Sequence, residues 1–312
     1  MKTALAILSS RESPQRLGGN VRAALASLQQ AGGMAVLYVV VNGNPALAEA
    51  MVRELRTVVP PGGVRLMLYE VLMADKAAAW NQALHDIMAP AELTVFVDGY
   101  AQLRGPAIGT LHACAAATPQ ALAVSGVPYS GWSARRLAAD MRVNGGIHGN
   151  LYALKAATVE ALRAMGFRLP LGIYRTDPTL GAALSFGLGL SAPREWRPAE
   201  RMALADAALW TIPRFRWWTW KAWAGYRLRR DRQAQGWLEN AAVRHSYQFK
   251  QRDFADLPAT ARELVGRWID EDPQALSVLD SRKDMALAWR RLSVDRDWSS
   301  AAIPAKLLFS AG

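Results

Sequence analysis

Residues 92–103 read ELTVFVDGYAQL. Leu93–Val97 is a short unbroken apolar run, rich in β-branched and aromatic side chains, the pattern of a strand buried on both faces. It runs straight into Asp98 and Gly99, which places a carboxylate where the chain leaves the strand. Upstream, Thr3–Ser9, Ala35–Val41 and Val64–Val71 have the same character. Between them, residues 20–30 carry Val21, Leu25 and Leu28 at helical spacing, and residues 46–58 and 75–88 are also helical. The turn Asn42-Gly43-Asn44-Pro45 ends the second strand. Downstream, a helix is expected near 106–117, a strand near 121–127, a turn at Asn144-Gly145-Gly146 and a helix over 155–165. This alternation predicts an α/β domain around a mainly parallel sheet. From Arg194 onward strand patterns give way to amphipathic helix. We therefore expect a domain over 1–195 and a helical, Trp- and Arg-rich extension over 196–312.

The composition is globular: 51% of the 312 residues are hydrophobic and 20% charged, enough for a core without staples. A single cysteine, Cys114, excludes an internal disulfide and a Cys-rich zinc site. It lies in an apolar run and reads as a buried, inert thiol, in keeping with a cytoplasmic protein. The opening MKTALAILSSRES is apolar for too few residues to be a signal peptide or a membrane span, and reads as the first strand. The net charge of +11 favours phosphorylated ligands or anionic surfaces.

In an open parallel sheet, ligands bind beyond the carboxyl ends of the strands. Asn42, the Asp98-Gly99-Tyr100 turn and the Lys76/Asn81 helix all fall there. A carboxylate at such a place binds a divalent cation or a ribose hydroxyl, or else simply caps the next turn.

The ordered series DKAAAWNQAL (75–84), ELTVFVDGYAQL (92–103), GGIHGNLYALKAATVEAL (145–162) and YRTDPTLGAALSFGLGL (174–190) resembles the family 2 glycosyltransferases of the GT-A fold. The resemblance covers residues 3–195. It implies a nucleoside diphosphate sugar donor, with Asn42, Lys76, Asn81, Asp98 and Tyr100 beside it. Asp98 matches the first Asp of the family's DxD signature and is the implied ligand of Mg²⁺ or Mn²⁺. Tyr100 stands where the second Asp would be, which weakens the metal site. Lys76, Arg214 and Arg216 are candidates to neutralise the diphosphate instead. Gly145, Gly146 and His148 fall on the implied acceptor side. Asp177 matches the carboxylate that acts as general base in inverting members. Each residue also has a structural reading: Lys76 on a solvated helix face, the glycines in a tight turn, His148 in packing, and Asp177 as the N-cap of a helix whose first residue is Pro178. Val41 stands in place of the family's base-contacting Asp. SSRES keeps only Glu12 of the family's N-terminal pattern. A catalytically silent GT-A-fold protein that binds nucleotides or sugars is the competing reading. A sugar-nucleotidyltransferase ranks low, because no Gly-rich loop follows the first strand.

Seven of the twelve Trp lie between Trp196 and Trp237, and residues 214–232 hold seven Arg or Lys against one acid, Asp231. Trp217, Trp220, Ala224 and Leu228 recur at helical spacing. Such a segment either packs its rings onto the domain or lies on an anionic membrane surface, here over 210–232. A glycan or lipid-linked acceptor and a peripheral position at the cytoplasmic face of a membrane follow from the second reading. No nucleic-acid-binding motif accompanies the basic residues, and no nucleic-acid partner is expected.

Overall fold

The computed structural model describes residues 1–130, 134–189, 195–211 and 220–312. Strands and helices alternate as β1 (Thr3–Ser9), α1 (Pro14–Ala31), β2 (Ala35–Asn42), α2 (Pro45–Leu55), β3 (Val64–Val71), α3 (Lys76–Gln82) and β4 (Leu93–Asp98). Then follow β5 (Gln102–Leu103), α4 (Ala107–Ala117), β6 (Ala123–Ser130), α5 (Ala134–Asn144), β7 (Tyr152–Lys155), α6 (Ala156–Ala164) and α7 (Thr176–Ser185). The remainder contains α8 (Pro198–Arg201), β8 (Met202–Thr211), α9 (Trp220–Val243), α10 (Ala261–Glu271), α11 (Pro273–Ser281), α12 (Lys283–Leu292) and β9 (Lys306–Ala311).

These strands join one nine-stranded sheet in the order β5-β8-β6-β7-β4-β1-β2-β3-β9. β4, β1, β2 and β3 pair in parallel. β7 runs antiparallel to both β4 and β6, and β6 is parallel to β8. Only β5, β7 and β9 oppose the rest, so the sheet is mainly parallel in direction. Side chains of β1 alternate between two cores, as the pleat requires. Leu5 and Ile7 pack with Leu17, Val21, Met51 and Ile108 on the face of α1, α2 and α4. Ala4, Ala6 and Leu8 face Trp80, Leu184 and Leu238 of α3, α7 and α9. Within that second core, Trp80 and Phe96 stack at 5.5 Å, and Trp80 Nε1 donates to the Tyr152 hydroxyl at 2.6 Å.

Local chemistry explains where helices begin. Ser13 caps α1 and Pro14 opens it, so the helix starts six residues before the hydrophobic stripe that announces it. Asn44 and Pro45 do the same for α2. Asp75 caps α3, which ends at Gln82 and passes into a π-helical turn over Ala83–Ile87, so the helical segment expected over 75–88 is present with a change of pitch within it. Cys114 is half-buried, not fully buried as expected.

Beyond residue 195 the chain is mostly helical, as expected, but it also adds two strands where helices alone were anticipated. β8 pairs with β5 and β6, and β9 pairs with β3, so the sheet crosses the boundary expected at residue 195. The β8 sequence MALADAALWT is rich in alanine, a poor strand former, and tertiary pairing overrides that preference. β9 is only six residues long and lies at an edge.

Gly43 makes the turn after β2 possible. Its φ is +60°, and a Cβ there would lie 2.2 Å from the Ala74 Cα. Gly43→Ala is expected to destabilise the fold by about 2 kcal/mol or more, read as a lower midpoint in urea unfolding.

Candidate active site

Parallel register brings three strand ends to one edge: Leu8 of β1 pairs with Asp98 of β4, and Ser9 pairs with Val41, beside Asn42. The chain then turns at Gly99, where a Cβ would lie 2.7 Å from Ser9 Cβ and 3.0 Å from Glu12 Oε2. Only glycine lets the turn lie this close to the β1 loop. Glu12 Oε2 accepts from Ser9 Oγ at 2.5 Å and from the amides of Ser10 and Arg11, each at 3.1 Å. Asn20 Nδ2 fastens the same turn by donating to the Gly99 carbonyl at 2.5 Å.

The Lys76 ammonium pairs with Asp98 Oδ1. Opposite them comes Asp177 on α7. A Cβ placed on Gly149 would stand 3.2 Å from Lys76 Nζ, 3.3 Å from Asp98 Oδ2 and 3.4 Å from Asp177 Oδ1. One cation and two carboxylates therefore close on a single point, and the residue there has no side chain. Burial acts to lower the Lys76 pKa, but Asp98, Asp177 and Glu12 outweigh it and hold the ammonium charged. Tyr100, 39% exposed, donates its hydroxyl to Asp98; partial burial of the hydroxyl, then Asp98 and Asp177, raise the phenol pKa and keep it protonated.

Other expected residues take different places. Asn81 does not face the cluster: Nδ2 donates to the Leu169 carbonyl at 2.9 Å and Oδ1 accepts the Leu169 amide at 2.8 Å. Five residues along a helix, it points about 140° away from Lys76. Asn42 is buried at the end of β2. Gly145 and Gly146 have φ of +68° and +110° and terminate α5, with Gly145 N donating to Met141 O at 3.0 Å. His148 stacks on Trp210 at 5.3 Å, and its Nδ1 accepts from the Asn150 amide at 3.2 Å. Asp177 is the second residue of α7 and Arg175 is the N-cap, so the Asp177 carboxylate is not spent on capping. Arg214 and Arg216 lie outside the described residues, as does Trp217.

Several residues here escaped the sequence reading. Arg232 of α9 stands 5.8 Å from the Tyr174 ring. Arg296 stands 6.0 Å from the Trp298 ring, and Trp298 approaches to 3.1 Å of where a Gly172 Cβ would be. Burial lowers the Arg232 pKa, and Arg11 and Arg296 lower it further, while Tyr174 and Glu239 oppose them. Arg232 and Arg296, distant in sequence, thus come near the loop before α7, and Arg11 adds its charge to theirs. That loop is held by two carboxylates. Asp75 Oδ2 accepts from Gly172 N at 3.1 Å. Glu239 of α9 accepts from Tyr174 N at 2.9 and 3.0 Å. Only the acid-to-amide pairing in space identifies them; nothing in their local sequence does.

The donor set for a metal is poor. Asp98 is the sole carboxylate of the DxD position, and it is already engaged by the Lys76 ammonium and the Tyr100 hydroxyl. Among the described residues no three His, Cys, Asp or Glu gather as a metal site would require.

Burial pushes the Glu239 carboxyl up to about 7 from its ordinary 4.5, against the hydrogen bonds from Tyr174, Gln235 and Arg175. Folding therefore takes up protons between these values. The stability from this group is complete below about pH 4.5 and is lost as pH rises through about 7. Urea unfolding from pH 4.5 to 8 should show Glu239→Gln free of a decline worth about 3 kcal/mol that the unaltered protein has. Parallel pH profiles would contradict this assignment.

No protein-family model matches the chain, and no curated protein does. Among solved structures it is similar to the mannosyltransferase PcManGT from Pyrobaculum calidifontis, in complex with GDP-Man and Mn²⁺. The TM-score is 0.54 at 17% identity, over 93% of this chain and 82% of that one. It is also similar to S. aureus TarS 1-349, with TM-score 0.54 at 11% identity over 94% and 79% of the two chains. The complex of that protein with UDP gives 0.52 at 10% identity, over 90% and 75%. At such identities the likeness is one of fold, the GT-A type of mixed α/β sheet flanked by helices.

Proposed function

We propose that the chain is an inverting glycosyltransferase that moves a sugar from a nucleoside diphosphate sugar to an acceptor hydroxyl. The observation that carries this reading is the closure of Lys76, Asp98 and Asp177 on Gly149 at the carboxyl edge of a GT-A sheet. The donor lies with its diphosphate toward Lys76 and its sugar beside Asp177; the absent side chain of Gly149 lets the backbone approach the three charged groups. PcManGT carries GDP-Man and TarS carries UDP in this fold, so both guanosine and uridine donors are candidates.

Asp177 accepts the proton of the acceptor hydroxyl as its oxygen attacks C1. The bond from C1 to the diphosphate oxygen breaks, and the nucleoside diphosphate leaves with the electron pair. Lys76 stabilises the charge that develops on it. Arg232 and Arg296 near the loop before α7, Arg11, and Arg214 and Arg216, which lie outside the described residues, are further candidates for that stabilisation. A divalent cation bound with the donor would have Asp98 as its carboxylate ligand and would share it with Lys76. Its chemistry would be charge neutralisation on the same diphosphate.

The acceptor is proposed to be a glycan or a lipid-linked sugar. Trp223 on α9 is half-exposed, and segment 210–232 is the candidate contact with an anionic membrane at its cytoplasmic face. Among the described residues no helix is long and apolar enough to cross a membrane.

The competing reading, a silent binding protein, draws on the Lys76 and Tyr100 contacts that occupy Asp98. Calorimetry with UDP and GDP, together with nucleoside diphosphate release from UDP-GlcNAc and GDP-Man, separates the two. Asp177→Asn is expected to keep nucleoside diphosphate binding within about threefold while turnover falls about 1,000-fold. Equal turnover in the variant removes Asp177 as the base, and absence of any release from the unaltered protein favours the silent reading. Added Mn²⁺ is expected to tighten nucleoside diphosphate binding by less than about tenfold, given one shared carboxylate; a larger gain would assign Asp98 to the metal.

A further inference from the structure

Helix α7 begins without help from its own sequence. Its N-cap, Arg175, makes no side-chain capping bond. The amides ahead of the helix are satisfied from elsewhere, by Glu239 of α9, a residue 1% exposed. Its carboxylate accepts from Tyr174 N at 2.9 and 3.0 Å and from Arg175 N at 3.4 Å. Gln235, one turn earlier, donates to Glu239 Oε1 at 2.7 Å and to the Gly172 carbonyl at 3.0 Å. Gly236 lies between them, and a Cβ there would stand 3.3 Å from Tyr174 Cδ1 and Arg175 Cδ. One face of α9 thus grips residues 172–175 by their backbone, and Asp177 follows two residues later. A carboxylate at the N-terminus of a helix also meets the positive end of its dipole.

We propose that Glu239 is a positioning residue for the reaction: by holding the Tyr174 and Arg175 amides it sets where the Asp177 carboxylate stands relative to Lys76, Asp98 and Gly149. This inference rests on the reading of Asp177 as the base. Glu239 touches none of the three groups at Gly149 itself, so its effect runs entirely through the loop. The other end of that loop is fixed by Asp75, which caps α3 at Ala78 N and accepts Gly172 N. Lys76 is the first residue of α3, so the loop links the helix that carries the cation to the helix that carries the base. A simple packing residue at position 239 would avoid the cost of an enclosed carboxyl group. What the acid adds is a fixed pair of acceptors for two amides that have no other partner in their own helix. A shift of about 1 Å in Asp177 is enough to lower the rate of proton removal about 100-fold without altering how the donor is bound.

The test compares the unaltered protein with Glu239→Ala and Glu239→Gln. The readings are UDP and GDP affinity by calorimetry, kcat and KM for nucleoside diphosphate release from UDP-GlcNAc and GDP-Man, and amide hydrogen exchange over 172–177. Glu239→Ala is expected to keep nucleoside diphosphate affinity and donor KM within about threefold, to lose kcat about 100-fold and to exchange faster at 174–177. Glu239→Gln retains one acceptor oxygen and should recover much of kcat. Unchanged kcat in Glu239→Ala overturns the proposal, and so does a loss of kcat and affinity together that Gln fails to rescue. If the unaltered protein releases no nucleoside diphosphate, the glycosyltransferase reading fails by itself. Unchanged exchange at 174–177 in Glu239→Ala then overturns the clamp, and faster exchange confined to that loop supports it.

Discussion

The ion pair of Lys76 with Asp98 joins the start of α3 to the far end of β4, the strand that follows it in the chain. Asp98 ends a buried strand, and Lys76 opens the helix that follows another strand at the far side of β1. Their contact fixes the N-terminus of α3 over the carboxyl edge of the sheet. It also places a cation in a partly dry setting, where one carboxylate would not balance it as well as two. Asp177 is the second, and Glu12 adds a more distant negative charge. The cation is therefore surrounded by acids in the free protein and stands ready for a ligand that brings its own negative charge.

Around this inner cluster lies a second layer of carboxyl groups that accept backbone amides, Glu239 with one further bond from Gln235. Asp75 and Glu239 each accept amides of the loop before α7, and burial raises the pKa of both. They hold geometry where Lys76, Asp98 and Asp177 hold charge. Glu239 belongs to α9, and β8 and β9 of the same C-terminal part complete the sheet. The extension is thus part of the framework of the site as well as a surface beside it.

How much of this could be read from sequence varies with the range of the contact. The buried strands around Asp98 are apolar runs, so β1 to β4 and their carboxyl ends were legible, and with them the places of Lys76 and Asp98, while Asp177 was indicated only by the family resemblance. β8 was not, because Ala-rich MALADAALWT carries no strand signal and is ordered by its neighbours β5 and β6. Asn81 was expected beside the donor from the family resemblance, whereas its side-chain amide is engaged by the Leu169 backbone. In the glycine-rich segment the turn glycines Gly145 and Gly146 stood out, yet Gly149 is the one that approaches the charges. Glu239, Arg232 and Arg296 act across long sequence separations, and no local motif marks such partners.

The central claim is that the point where Lys76, Asp98 and Asp177 meet receives a donor diphosphate and its sugar. A crystal structure of the protein with a nucleoside diphosphate sugar tests it directly. The account predicts a diphosphate oxygen within hydrogen-bond distance of Lys76 Nζ, with C1 of the sugar facing the Asp177 carboxylate. A nucleotide bound away from Lys76, with the sugar remote from Asp177, would contradict it.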